Sequence, residues 1–505
     1  MKNMIKKHRV SMAKAIFGIG MFLLFFCFSY SCHPQVVLDY DDWSYIAYTR
    51  IPIPWPTFWN PSRVLPEILM PLSGFLGAAI NKVFPKLQYI KAQTAGTAFV
   101  LSSLEVFYFM SLLRLLMRRR GNSLKIAAGL TAVFCLLHFL AFRTSAIGNS
   151  YLFQSANLTC CYFYLIPALL NAGMSNMLLS SEKETLSFMP GKERFRTAII
   201  FCGLYFSLFS NLYASILLSS FAGWDLLSHI RRGKGRQELR SFAKEHEIPI
   251  LILLFFSIAV IFEAFGGRAK LTYQTEQNYW QNLAETFMLF IQTLKSCNWL
   301  FSLIIVFGII AEIGICLYQR HSEEARLLCL CGITVVVFVL LLCAKVSPSY
   351  ITRPEVLISV FFYIFLLAMD GFAAFLQKFP GSGRLLPLLI LIVAVAVNPP
   401  GRTFGESYSI DCEITPETCI AVSQDVVDQV VSAVEAGETE AEIEVMFTGE
   451  YGSENWPQVT YMADALQKAL VRHGVIDHAI SLEIVPSTEF NEKYGLHFAL
   501  VEGNS

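Results

Sequence analysis

The stretch that decides the fold is "RVLPEILMPLSGFLGAAINKVFP", residues 63–85. It is apolar enough to be mistaken for a membrane span, but it contains Pro66, Glu67 and Pro71. If it crossed the membrane, the cluster Arg114, Arg118, Arg119 and Arg120 would end up outside, against the rule that cytoplasmic loops carry the positive charge. The stretch therefore reads as an amphipathic helix in the outer interface, re-entrant at most. The second span then runs from about Lys91 to Leu113 and leaves "RLLMRRRGNSLK" in the cytoplasm.

Composition supports a membrane protein. Of 505 residues, 54% are hydrophobic and 15% charged, against roughly 25% charged in soluble domains. The zero net charge hides an asymmetry: 19 acidic and four basic residues follow Pro400, leaving 20 acidic and 35 basic before it. A basic membrane part, residues 1–400, is joined to an acidic tail, residues 401–505.

The basic start "MKNMIKKHRVSMAK" leads into an apolar run from about Ala13 to Tyr30. A signal peptide is the rival reading, and "FSYSC" is similar to a lipoprotein cleavage site. The run exceeds the roughly 7–15 residues of a signal core, which favours a retained first helix with a cytoplasmic amino end. Spans near 126–142, 158–179, 249–265, 300–318, 327–344, 355–375 and 385–397 follow. The run 197–230 is too long for one helix, and "SNLYAS" splits it at a tight outer turn around Asn211. The sum is about eleven spans, with the carboxyl end outside and a first outer loop of residues 32–90.

The tail reads as a small α/β domain. "SQDVVDQVVSAVEAG" and "QVTYMADALQKALVRHG" have helical periodicity, while "AEIEVMFT" and "ISLEIVP" read as strands. Cys412 and Cys419 would bridge only in an oxidising compartment with suitable geometry, which leaves the pairing open.

Polar residues concentrate on the outer loops. "VLDYDDWSYIAYTR", residues 37–50, sets Asp39, Asp41 and Asp42 among aromatic residues. Other outer loops carry Arg268 and Lys270, or Lys345, Tyr350 and Arg353. A carboxylate can take a proton from an acceptor hydroxyl, and arginine or lysine can neutralise a phosphate leaving group. Plainer readings exist: acids after a first helix serve as a solvated flank, Arg353 before Pro354 as a helix-end anchor, and Trp43, Tyr45, Trp55 and Trp59 as interfacial belt residues. Glu105, Glu263, Glu312 and Asp370 lie in or near spans, where ionisable groups suggest function. Histidines are scattered without metal spacing. No phosphate loop, zinc pattern, nucleophile elbow or nucleic-acid-binding motif appears.

The arrangement resembles the polytopic glycosyltransferases of the GT-C superfamily, which use polyprenyl-phosphate sugars. It is most similar to a bacterial group of membrane glucosyltransferases of the O-antigen-modifying type. Their pattern is a first-loop acid pair with an aromatic, "NGR" before an apolar helix, an outer "G…NYLW" segment and a later "NE". Here stand Asp41-Asp42-Trp43, "NPSRVLPEIL" with Arg63, "GNSYLFQSAN" with Tyr151, and "SNLYAS" with Asn211. Ser62 replaces the glycine, and Leu212 stands where glutamate is expected.

The resemblance implies a sugar transfer from a polyprenyl-phosphate donor to a glycan acceptor at the outer face, among membrane lipids. Asp41 or Asp42 would be the general base, or would orient the acceptor through a divalent metal ion. Arg63, Arg268 and Arg353 would meet the donor phosphate, and Glu67, Tyr151, Asn211, Lys270 and Tyr350 complete the expected substrate-binding set. A transporter or flippase for lipid-linked glycans, with paired intramembrane charges and internal repeats, and a polymerase-type membrane protein are the rival classes; no convincing repeat is visible.

Overall fold

The computed structural model describes residues 2–119, 121–143, 150–155, 157–181, 194–232, 242, 245–267, 269, 278–319, 323–398, 414–449 and 455–498. Among these, seven helices are long and apolar enough to cross a membrane: His8–Cys32, Tyr89–Arg118, Leu158–Leu179, Glu247–Phe265, Trp299–Tyr318, Glu323–Val346 and Pro354–Lys378. Leu124–Leu140, Thr197–Leu208 and Pro380–Ala396 are shorter apolar helices. The chain is a helical, multi-pass membrane protein.

The helices are, in chain order, α1 (Lys2–Cys27), α2 (Tyr40–Ile46), α3 (Pro66–Val83), α4 (Tyr89–Arg119) and α5 (Leu124–Leu140). Next come α6 (Leu158–Leu179), α7 (Arg194–Leu208), α8 (Leu212–Arg232), α9 (Glu247–Phe265) and α10 (Tyr279–Lys295). The membrane part ends with α11 (Trp299–Gln319), α12 (Glu323–Val346), α13 (Pro354–Lys378) and α14 (Leu386–Ala396). A π-helical turn, Cys161–Leu165, interrupts α6; such bulges recur at functional sites.

Among the described residues, several connections between helices gather at one end of the bundle. Ser62 donates through its hydroxyl to Glu263 near the end of α9 (2.6 Å), and the Leu65 amide donates to the Phe209 carbonyl beyond α7 (3.0 Å). Asn211, before α8, donates to the Phe163 carbonyl in α6 (2.7 Å). Asn298, before α11, donates to the Arg143 carbonyl (2.6 Å), and the Arg143 Nε donates to the Val397 carbonyl (3.1 Å). Hydrogen bonds between loops thus fix which helix ends are neighbours.

Residues 66–83, the ambiguous stretch, form α3, which is absent from the seven candidate spans. It lies against the start of α4. A Cβ on Gly77 would sit 2.7 Å from the Gln93 Cα, and one on Gly96 would sit 2.5 Å from the Ser73 carbonyl. Leu72 and Phe75 remain exposed on its outer side.

Two features depart from the sequence reading. Residues 279–295, expected within an outer loop, form α10, capped by the Asn278 side chain on the Trp280 amide (3.2 Å). Its faces are reversed relative to a soluble helix: Asn282, Thr286 and Thr293 are buried, whereas Trp280, Phe287 and Met288 are exposed. Gln281 and Glu285 dilute its hydropathy, which hid an apolar face suited to lipid. Trp43, read as an interfacial belt residue, is only 1% exposed and lies in the core. Trp55 (54% exposed) and Trp59 (51%) do present open faces.

The tail contains α15 (Pro416–Glu435), β1 (Glu440–Met446), α16 (Ala463–His473), β2 (Ser481–Ser487) and α17 (Thr488–Tyr494), with β1 and β2 paired in parallel. It packs on the segment that joins α1 to α4. The Ile90 amide donates to Gln424 (2.9 Å), Arg472 donates to the Ala47 carbonyl (3.1 Å), and Ser423 donates to the Val37 carbonyl. Cys412 lies outside the described residues, and Cys419 is a buried free thiol.

Helices α11 and α13 cross at glycines. A Cβ on Gly371 would stand 2.0 Å from the Gly308 carbonyl, whereas one on Gly381 would meet nothing within 4 Å. Small residues let helix backbones approach in lipid, and overpacking costs about 1–3 kcal/mol. Gly371→Val is therefore expected to lower the thermal unfolding temperature of detergent-purified protein by several degrees, with Gly381→Val as the silent control. Equal melting temperatures for the two variants would contradict the packing described.

Candidate functional site

The site starts from a helix too short to be stable by itself. Seven-residue α2 owes its start to a capping box: the Asp42 amide donates to the Asp39 carboxylate (2.8 Å) and the Asp39 amide to the Asp42 carboxylate (3.3 Å). Such reciprocal capping satisfies donors that a helix end leaves orphaned. The second oxygen of Asp39 accepts from Asn157 (2.6 Å). Asn157 in turn caps α6 by accepting from the Cys160 amide (2.6 Å). Asp42 accepts from the Thr159 amide (2.8 Å) and hydroxyl (2.7 Å), and its other oxygen also takes the Leu38 amide (3.1 Å). Two helix N-termini are thereby tied to each other through side chains.

These bonds sort the three acids. Asp39 and Asp42 are completely buried, and burial pushes both carboxyls up, Asp42 to about 6. All four of their oxygens take protein donors, so they do not form an open chelating pair for a divalent ion. Asp41 is half-buried and is the most accessible of the three. The sequence pairs Asp41 with Asp42 and sets Asp39 aside. In the structure Asp39 and Asp42 form the pair, both structural, because an acid one residue before a helix caps it and an acid three residues later caps back.

Arg50 organises the rest of the first loop. It pairs with Glu67 (3.1 Å) and donates to the carbonyls of Asn60 (2.6 Å), Ile53 (3.1 Å) and Pro61 (3.3 Å). Asn60 donates to Glu67 (2.8 Å) and to the Tyr45 hydroxyl (3.1 Å). Burial pushes the Tyr45 phenol up to about 12. Glu67, expected to touch substrate, is engaged in this network.

Arg63 and Arg353 are different. The Arg63 guanidinium lies 5.5 Å from the Phe163 ring centre and 5.7 Å from that of Tyr164. That of Arg353 lies 4.0 Å from the Tyr350 ring and 3.9 Å from the Cys160 sulfur. Tyr164 and Tyr350 meet edge to face at 6.2 Å, and Tyr213 is 6.1 and 6.3 Å from them. Among the described residues, neither arginine has a carboxylate within ion-pair distance. Glu263 acts on Arg63 and Glu355 on Arg353 electrostatically from beyond ion-pair distance, and two guanidiniums held chiefly by aromatic rings can receive a phosphate bidentately.

The start of α6, from Thr159 into the π-helical turn, connects the acids to the arginines. Thr159 holds Asp42, Cys160 approaches Arg353, Phe163 packs on Tyr45 at 5.0 Å, and Phe163 and Tyr164 flank Arg63. Glu355, buried at the first turn of α13, lies within electrostatic range of Cys160 and Arg353.

Of the other expected residues, Tyr151 is buried and stacked on Phe139 at 5.6 Å, a core role. Asn211 is buried and ties α8 to α6, accepting also from the Tyr213 amide (2.8 Å). Tyr350 belongs to the tyrosine cluster. Arg268 and Lys270 lie outside the described residues. Sequence reasoning missed Tyr164, Asn157, Thr159 and Arg50. The capping pattern of Asp39 with Asp42 was visible in the sequence; the partners from α6 were not.

Removing a buried carboxylate strands the neutral donors that bond to it, and each buried polar group left unsatisfied costs about 1–3 kcal/mol. Asp42→Ala should therefore sharply reduce the amount of folded protein recovered, or its melting temperature, while Asp41→Asn leaves both near wild type. Thermal unfolding of the two purified variants checks this, and equal loss in both would contradict the division of roles.

A scan against protein-family models, a search of curated proteins and a search of solved structures each returned no match.

Proposed function

We propose that the chain is a GT-C-like membrane glycosyltransferase that moves a sugar from a polyprenyl-phosphate donor to a cell-surface glycan or lipid-linked acceptor at the outer face of the cell membrane. The observation that carries this reading is the pair of arginines, Arg63 and Arg353, held by tyrosine and phenylalanine rings with no ion-paired acid among the described residues. The half-buried Asp41 stands on the helix that the same α6 turn anchors.

In this reading Asp41 accepts the proton of the acceptor hydroxyl. The freed oxygen attacks the anomeric carbon, and the bond from that carbon to the phosphate oxygen breaks. The polyprenyl phosphate leaves with the electron pair, and Arg63 and Arg353 neutralise it. The exposed Ile51, Ile53, Trp55 and Trp59, on the loop that leads to Arg63, offer an apolar surface suited to a lipid tail. Eleven spans correspond to α1, α4 to α9 and α11 to α14, with the amino end cytoplasmic. The arginine end then faces outward, with the tail over it as an extracytoplasmic α/β domain. Asp39 and Asp42 do not fit a chelated metal, and no step is assigned to one.

The test is surface-glycan modification measured by mass spectrometry in cells that carry each variant at wild-type membrane level. Asp41→Asn is expected to lose at least 100-fold, the usual contribution of a general base. Arg63→Ala and Arg353→Ala are each expected to lose about 10²–10³-fold, as for other transition-state charge donors. Full activity in Asp41→Asn and both arginine variants would overturn the proposal. Reconstituted movement of a labelled lipid-linked glycan without sugar transfer would favour a flippase instead.

A further inference from the structure

At the far end of α8 from the tyrosine cluster a second constellation stands apart from the proposed site. Tyr213 lies in the first turn of α8 and His229 sixteen residues later, a separation of roughly 24 Å at the helical rise of about 1.5 Å per residue. Asp225 and His229 are one turn apart on α8, and His246 immediately precedes α9. Each of the three offers a ligand atom, and these atoms all lie within 4.8 Å of one another.

An Asp and a His four residues apart would alone be an ordinary helix-surface pair. Here the third group comes from a different helix. The His229 and His246 rings are 4.6 Å apart, and Phe242 packs against His246 at 4.5 Å. The His229 Nδ1 lies 2.8 Å from the Asp225 carbonyl oxygen and 3.6 Å from the Asp225 carboxylate. An Nδ1–H donated to a backbone carbonyl is the usual way a protein fixes a histidine so that its Nε2 faces a metal. All three residues are half-buried, so they are partly desolvated but reachable. Two imidazoles and one carboxylate suit zinc or a neighbouring divalent transition ion and suit magnesium or calcium poorly. With bonds of about 2.1 Å, tetrahedral ligand atoms would sit about 3.4 Å apart, so side-chain shifts of about an ångström would close the site.

We propose that Asp225, His229 and His246 bind one divalent transition-metal ion, of which Zn²⁺ is the type, clamping the end of α8 to the start of α9. Sequence spacing alone hides this site, because sixteen residues lie between the second ligand and the third.

The full chain, purified in detergent without a polyhistidine tag, is titrated with Zn²⁺ by calorimetry and with Co²⁺ by visible absorption. One ion per chain is expected. His229→Ala, His246→Ala and Asp225→Asn should each weaken binding at least tenfold, while His478→Ala leaves it unchanged. Absence of stoichiometric binding by the wild-type chain, or retention of it by the double variant His229→Ala/His246→Ala, overturns the proposal. Diethylpyrocarbonate labelling of the wild-type chain, read by mass spectrometry, tests it without a substitution. Zn²⁺ should protect His229 and His246 and spare the reactivity of His478, and equal labelling with and without Zn²⁺ overturns the proposal as well.

Discussion

The structure at the loop-rich end of the bundle depends on the burial of two carboxylates. Asp39 and Asp42 are fully enclosed, and a buried carboxylate without partners is among the most expensive groups a protein can hold. The chain meets this cost with donors drawn from two helix starts: the amides of Leu38, Asp39 and Asp42 around α2, and Asn157 with Thr159 at α6. The N-terminus of α6 also contributes the positive end of its dipole. This constraint places α6 against the first loop. Phe163, Tyr164 and Cys160, and through them Arg63 and Arg353, take their positions from it.

The same logic divides chemically identical side chains into different tasks. Three aspartates within four positions look equivalent in the sequence. Two have every oxygen occupied, and the third is half-buried between them. Three arginines are likewise separated by partner: Arg50 is consumed by Glu67 and three carbonyls, whereas Arg63 and Arg353 rest on rings. An arginine that neutralises an internal carboxylate has little charge left for a ligand. An arginine held chiefly by aromatic faces, with its nearest acids beyond ion-pair distance, keeps more of its fork of donors available.

What could be read from the sequence follows the range of the interactions involved. Apolar runs are local signals, and the long helices were legible from them. The charge rule is a sum over short loops, and several of the described connections it groups together are hydrogen-bonded to one another or to neighbouring helix ends. The capping box was also legible, because Asp39 and Asp42 are three residues apart just before a helical turn, the spacing that rule requires; reading the acids as a pair by adjacency missed it. Asn157 and Thr159 lie more than a hundred residues from their acids, and no local pattern announces them. Helix α10 escaped because its polar face is the buried one, which inverts the expectation applied to soluble helices. Glu67 and Tyr151 were expected to bind substrate, Tyr151 through the resemblance. The structure places Glu67 in a loop ion pair and Tyr151 in a ring stack.

The boundary at residue 400 has a different meaning in composition and in structure. Charge changes sharply there, and a separate domain is the natural reading. Yet the tail supplies partners to groups in the first loop that are otherwise hard to satisfy: the Ile90 amide through Gln424, the Ala47 carbonyl through Arg472, and the Tyr89 hydroxyl through His473 (2.6 Å). Arg472 also covers the Tyr48 ring at 3.8 Å, and Tyr461 packs on Tyr40 at 4.8 Å. Each buried polar group left without its partner costs about 1–3 kcal/mol. The tail therefore holds α2 from behind while α6 holds it from the front. The position of Asp41 depends on both, so the acidic segment is part of the support of the site even where it contributes no group to it.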